Sequence, residues 1–262
     1  MTYCVGILVR DGLIMVADTR TNAGIDNISV YRKLHILAES EDRLIVCASA
    51  GNLSIAQSVL GQLGEGLPPL EVGDPPRRMS DVPTMFRAAQ LVGEAVMGVG
   101  RELGPALHSA NVDAGIAFLV GGRIGNSPLA LYLVYEAGNF IECLPDCPFL
   151  QIGATQYGKP ILDRALRYDT PLDEAMKVAL ISFDSTIRSN LSVGLPLDLI
   201  AIPTDRSRPV IRRRIETDDI YFRDLSARWS MLLQESRATI PDPPFMAELS
   251  TRAVPTITGN KG

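Results

Sequence analysis

The sequence has little from which to build a histidine- or metal-dependent active site. It holds two histidines, His35 and His108, and four cysteines in 262 residues. His35 sits in the strand-like run LHIL with no obvious acidic partner. Cys4 and Cys47 lie inside apolar runs, where cysteine behaves as a small core hydrophobe. Cys143 and Cys147 flank a Pro-Asp turn, with no histidine nearby to complete a zinc site. Four structural cysteines, no metal and no cofactor are therefore expected. Basic charge is also short: 25 Lys and Arg against 30 Asp and Glu leave a net charge of -5. That balance argues against a dedicated nucleic-acid binder, which needs a basic face for phosphate. No apolar run has the length needed to cross a bilayer. The opening MTYCVGILVRDG has no basic n-region and reaches Asp11 too soon for a signal peptide. A cytoplasmic setting, with neither membrane nor nucleic acid as partner, is the expectation.

What is present is an ordinary globular composition, 46% hydrophobic and 21% charged, in a chain long enough to bury a large core. YCVGILV, LIMVADT, KLHILAE and RLIVCASA are short aliphatic and β-branched segments, read as strands. Turns at Arg10-Asp11-Gly12 and between Glu39 and Arg43 make two hairpins the economical pairing. Their near-continuous apolar character predicts sheets buried on both faces. LSIAQSVLGQL then has helical spacing with Asn52 or Ser54 as N-cap, followed by a Gly/Pro-rich loop from Gly64 to Pro76. A second helix is expected over roughly Val82 to Leu107. Strands return in AGIAFLVGGR, LALYLVYEAG and FIECL. An amphipathic helix, LDEAMKVALISFDSTIRS, begins after Thr170-Pro171, and LPLDLIAIP is a further strand. The order suits an α+β fold: a four-layer α-β-β-α sandwich of two antiparallel sheets, each sheet covered on both faces. Residues 1–217 form this domain and 218–262 a C-terminal helical extension and tail. The extension carries a stripe of Ile220, Phe222, Leu225, Trp229, Leu232 and Leu233, suited either to its own domain or to a subunit interface.

Chemistry concentrates near the start. Thr2 follows Met1, and its small side chain permits methionine removal. An N-terminal threonine combines a hydroxyl nucleophile with an amine that can act as its base. Asp18 closes a strand-like run and Lys33 opens another, so a carboxylate-held ammonium could enter the same site. Such an ammonium favours deprotonation of the hydroxyl and supports developing negative charge.

These segments together resemble proteasome β-type subunits: T-x-x-V-G-I at the start, A-D-T-R-T-N-A-G, K-L-H, and A-S-A-G opening a helix. MTYCVGI and DTRTNAGIDNISVYRKLH are similar in particular to the bacterial proteasome-related group called Anbu. The resemblance extends through about Ile202 and implies an N-terminal nucleophile hydrolase. It implies a threonine-type peptidase acting on peptides or unfolded proteins, with Thr2 as nucleophile, Asp18 orienting Lys33, and Lys33 lowering the pKa of Thr2. It further implies the backbone N–H of Gly51 as oxyanion donor and Ser192 as support for the threonine amine. Asp18 stands at the family's common spacing from Thr2, whereas Lys33 falls one residue short. A loop deletion between Asn22 and Tyr31 accounts for this, with Arg32 as the fallback and a poor one, given its high pKa. Self-assembly into a ring or open spiral is implied, with an ATPase unfoldase as an optional partner.

Two departures stand out. Ser189 occupies the place of an expected aspartate, and Ala154 or Thr155 that of an expected serine in a glycine-rich turn. Slow turnover or an unusual substrate would follow. Two other functions fit parts of the pattern: an N-terminal nucleophile amidase acting on a small amide, and a catalytically silent assembly subunit. Retention of Thr2, Asp18 and Lys33 together speaks against the silent subunit. A mature chain beginning at Thr2 separates catalysis from silence.

Overall fold

The computed structural model describes residues 2–22 and 28–246. β1 (Tyr3–Val9) and β2 (Gly12–Asp18) form the first hairpin, and β3 (Arg20–Asn22) pairs with β4 (Ile28–Val30) as a small ribbon. β5 (Leu34–Glu39) and β6 (Arg43–Gly51) form the second hairpin. Helices α1 (Leu53–Glu65) and α2 (Met85–Ser109) follow, then β7 (Ile116–Ile124), β8 (Ala130–Val134), β9 (Phe140–Glu142) and β10 (Phe149–Gly153). The chain continues through α3 (Thr155–Ala165), α4 (Leu172–Ser189), β11 (Leu197–Pro203), β12 (Ile211–Ile215) and α5 (Ile220–Ala238).

Two five-stranded antiparallel sheets result, in the orders β10-β1-β2-β11-β12 and β5-β6-β7-β8-β9. The unbroken apolar character of β1, β2 and β6 is explained by the layering. One face of the first sheet packs Val5, Ile7 and Val16 against Leu162 of α3 and Phe183 of α4. The other face sends Cys4, Leu13 and Met15 toward Val46, Leu119 and Leu131 of the second sheet. The far face of the second sheet packs Ile45, Cys47 and Phe118 on α1 and α2. Each buried Leu, Ile, Val or Phe contributes about 1.5–3 kcal/mol, so the three clusters supply the main driving force. The expected α-β-β-α sandwich is the fold.

Local signals set the helix starts. Asn52 accepts from the N–H of Ser54 (3.0 Å) and of Ile55 (3.3 Å), capping α1. α2 begins at Met85 rather than Val82, because Thr84 is the residue whose side chain caps it. α4 spans the expected segment, with Asp173 and Glu174 in its first turn favouring the positive helix end. β10, α3 and β12 are elements that periodicity does not reveal. FLQIG is short, α3 buries only Gly158 and Leu162, and β12 reads IRRRI with four of its five residues exposed. Neighbouring strands and helices hold them, not their own patterning.

The stripe expected on the C-terminal segment is divided by α5. Phe222 is buried with Leu172 and Ala175 of α4, Leu225 and Trp229 are half-buried, and Leu232 is exposed. Phe222, at the start of the 218–262 segment, therefore packs in the core of the sandwich. No helix among the described residues is long and apolar enough to cross a membrane.

Candidate active site

Thr2 lies at the entry to β1, between the two sheets, and is 8% exposed. Its carbonyl accepts a hydrogen bond from the Ala154 N–H at 2.7 Å. Gly153, at φ +83°, makes that approach workable: a Cβ there would overlap the Thr2 carbonyl oxygen. The following residue is pinned more heavily. The Tyr3 phenol meets Ser182 Oγ at 3.1 Å, accepts from Gln151 Nε2 at 2.6 Å, and its ring lies 4.5 Å from that of Phe183. Burial pushes the Tyr3 hydroxyl up to about 12, so it remains a neutral anchor.

Asp18 ends β2, fully buried, and one of its oxygens organises the centre. Oδ1 accepts from the Tyr3 N–H at 3.1 Å and from Lys33 Nζ at 2.9 Å. Lys33 Nζ also donates to the Arg20 carbonyl at 2.5 Å. The lysine backbone is fixed by the Ser49 N–H donating to its carbonyl at 3.1 Å, so β6 holds Lys33 over the end of β2. Of Arg32 and Lys33, it is Lys33 that reaches Asp18. Arg32 turns outward toward Asp198, 3.7 Å away, with a largely exposed side chain. Part of the loop assigned to the deletion, residues 23–27, lies outside the described residues, as does Met1.

Burial raises the Asp18 pKa, opposed by the Lys33 charge and its hydrogen bond, then by the Tyr3 and Gly194 amides. Asp18 Oδ2 has no hydrogen-bond partner among the described residues, which sharpens the desolvation. Catalysis that needs the ionised Asp18 should therefore fail on acidification at a pH above the ordinary value of 3.8, because protonation removes the counter-charge of Lys33. The rate of active-site labelling against pH is the measurement. A midpoint at or below 3.8 would show that Asp18 ionisation does not limit the reaction.

Gly51 ends β6 at φ +129°, where a Cβ would overlap the Gly115 carbonyl oxygen. Asn52 then caps α1, so the Gly51 amide belongs to a strand-to-helix turn at a helix N-terminus. Ala50 Cβ lies 3.5 Å from where a Gly153 Cβ would stand, which brings this turn beside the Thr2 contact. An open cleft of about 600 Å³ runs along it, lined by Gly51, Gly115, Tyr135, Glu136 and Gly153.

Ser189 and Ser192, at the positions expected to support the threonine amine, lie at the end of α4 and in the loop after it. Ser192 is half-buried, its N–H donates to Asn190 Oδ1 at 3.0 Å, and its hydroxyl makes no hydrogen bond among the described residues. Ser189 is exposed at the end of α4. The buried polar residue here is Asn190, whose Nδ2 has no partner among the described residues. Of the two candidates for the missing serine, Ala154 makes the contact with Thr2, through its backbone, while Thr155 begins α3.

Two contributors escaped the sequence reading. Arg20 supplies its carbonyl to Lys33, while its guanidinium lies against Gly194 and donates to the Leu191 carbonyl at 3.1 Å. Gly194 in turn directs its amide at Asp18. Arg20 was visible within ADTRTN, but a backbone carbonyl carries no residue signature.

Paired five-stranded sheets between helix layers, with a threonine, an aspartate and a lysine gathered at one end, define the proteasome-like class of N-terminal nucleophile hydrolase folds. No protein-family model matches the chain. Among curated proteins it is 24% identical to proteasome subunit beta 1 of Thermococcus kodakarensis over 209 residues, 79% of this chain and 91% of that protein. Among solved structures, the helical assembly of the Anbu complex from Pseudomonas aeruginosa superposes with TM-score 0.83 at 44% identity, covering 92% of this chain and 98% of that one. Anbu from Yersinia bercovieri gives 0.82 at 42% identity, with the same coverages of 92% and 98%. Anbu from Hyphomicrobium sp. strain MC1 gives 0.80 at 43% identity, covering 92% and 99%. The chain belongs to the Anbu family of proteasome-related proteins.

Proposed function

We propose that the chain is a cytoplasmic threonine-type peptidase subunit that hydrolyses peptide bonds in peptides or unfolded proteins from within a homo-oligomer. One observation carries the proposal: Lys33 Nζ and the amide immediately after Thr2 share the same oxygen of a buried Asp18. An ammonium held there raises the local positive potential at the threonine, where a hydroxyl must lose its proton. After removal of Met1, the Thr2 amine takes the Oγ proton as Oγ bonds to the substrate carbonyl carbon. The oxyanion that forms is received by the Gly51 N–H, at the positive end of α1. Collapse expels the substrate amine, which takes the proton from the threonine ammonium. Water then adds to the ester by the same route and releases Thr2. Ser192 and Asn190 lie in the loop whose Gly194 amide faces Asp18, so their part is to hold that loop.

The test pairs intact mass with labelling. A mature chain lacking Met1, carrying an electrophilic peptide inhibitor on Thr2, is the expected result. A chain that retains Met1 and takes up no inhibitor would instead make this a silent assembly subunit.

Assembly is supported by the helical Pseudomonas aeruginosa relative. We assign α5 to the contact between copies. A groove of about 520 Å³ between α4 and α5 is lined by Lys177, Ile181, Tyr221, Leu225, Trp229 and Leu232. Met231, Leu232 and Leu233 are each 41–51% exposed in a single copy. Leu232→Glu with Leu233→Glu should give smaller particles in sedimentation while thermal unfolding shifts little, since exposed positions change stability by only about 0.5 kcal/mol. Unchanged particle size would remove α5 from the interface.

A further inference from the structure

Residues 206–214 read RSRPVIRRR, five arginines in nine positions without an acidic residue, in a chain of net charge -5. The structure gathers them at one edge. β12 is the last strand of its sheet, on the opposite side from β10, and every second N–H and C=O along it faces away from β11. Arg206 and Arg208 are exposed in the turn leading into it. By register, Arg212 and Arg214 share a face with Ile200 and Asp198, toward the second sheet, whereas Arg213 shares the other face with Leu199.

Edge strands commonly guard themselves with charge, and part of the cluster does this. Arg214 forms a two-point pair with Asp198 at 2.7 and 2.9 Å, and Arg212 pairs with Glu39. The remainder lacks counter-charge: Arg206, Arg208 and Arg213 have no carboxylate partner among the described residues, although Arg206 donates to the Gly125 carbonyl. Beside Arg213, between β12 and β5, opens a groove of about 550 Å³. Leu34, Val46 and Ile200 line it together with Arg32, Arg212 and the Asp198–Arg214 pair. Ile36 and Ile211 are 45% and 47% exposed along the two free strands.

We infer that this edge receives an acidic, extended polypeptide segment, which adds to β12 as a sixth strand. Strand addition uses the open backbone ladder for affinity and alternate side chains for selection. The ladder, the apolar groove and the unpaired guanidiniums fit a segment that alternates aliphatic and acidic residues. The aliphatic side chains enter the groove, and the carboxylates meet Arg206, Arg208 and Arg213 in two-point pairs. A nucleic acid would engage the same arginines but would leave the backbone ladder and the apolar floor unused.

The probe is a fluorescein-labelled alternating Glu-Val octapeptide, titrated against the intact oligomer and read by fluorescence polarisation. Three comparisons accompany it: the same peptide with alternate backbone N-methylation, a Lys-Val octapeptide, and an oligothymidine. Only the unmethylated Glu-Val peptide should bind. Combined Arg206→Glu, Arg208→Glu and Arg213→Glu should weaken it at least about tenfold, as loss of close interfacial charge pairs does, with sedimentation unchanged. Binding of the methylated peptide or the oligothymidine equal to that of the probe would reduce the edge to a generic anion patch. Absence of probe binding would overturn the inference, as would disassembly of the charge-reversed protein, which would make the edge a contact between copies. The methylation comparison uses the unmutated protein, so the inference stays testable if the variant misfolds.

Discussion

Thr2→Ala should abolish peptide hydrolysis and covalent labelling by electrophilic peptides while folding and assembly persist. The structural contribution of Thr2 is mainly its carbonyl, which accepts the Ala154 amide and is retained in alanine. Loss of one hydroxyl from this position costs about 1 kcal/mol of stability, a small part of the total. Its chemical contribution would be everything: without Oγ no acyl intermediate forms. Removal of the nucleophile from a serine-triad protease lowers turnover by a factor on the order of 10⁶, and a loss of that scale is expected here. Side-by-side labelling followed by intact mass is the check. Equal adduct on wild type and Thr2→Ala would assign the nucleophile elsewhere.

Lys33→Ala should remove nearly all activity, and Lys33→Arg should not restore it. The lysine is 4% exposed, and its Nζ is held between Asp18 Oδ1 at 2.9 Å and the Arg20 carbonyl at 2.5 Å. A guanidinium is larger and planar, so it cannot place its charge where Nζ sits between these two oxygens. The expected fall is on the order of 10²–10⁴, the range for a positioned acid–base or electrostatic group. Removing the lysine also leaves Asp18 buried without its counter-ion, which destabilises by about 3–5 kcal/mol. Structural loss could therefore imitate catalytic loss. The double variant Asp18→Asn with Lys33→Met separates them, since it takes both charges out of the interior together. Its melting temperature should recover relative to Lys33→Ala while its activity does not. Substantial turnover in Lys33→Arg, or in the double variant, would reduce Lys33 to a structural charge.

Much of the sandwich could be read before folding was considered. The β1–β2 and β5–β6 hairpins, α1, α4 and β11 carry their own periodicity and turn residues, and all fall where those signals put them. Thr2, Asp18 and Lys33 were legible as candidates because their segments resemble those of proteasome β-type subunits. The one-residue spacing difference at Lys33 left Arg32 as a competitor, and that was decided by direction. Arg32 points to Asp198 at the surface, and Lys33 points inward to Asp18.

The sequence by itself determined the layering and named the candidate residues of the site, because apolar patterning and side-chain type are local properties of the chain. Tertiary structure alone decided the rest. The Arg20 carbonyl became a lysine acceptor, the Gly194 amide came to face Asp18, and Asn190, not Ser189, was buried beside them. It also made IRRRI into a sheet edge and gave Phe222 to the core while leaving Leu232 exposed. Backbone donors and acceptors have no letter in the sequence, and an edge strand or a half-buried helix gets its place from what packs against it. Those features exist only once distant segments meet.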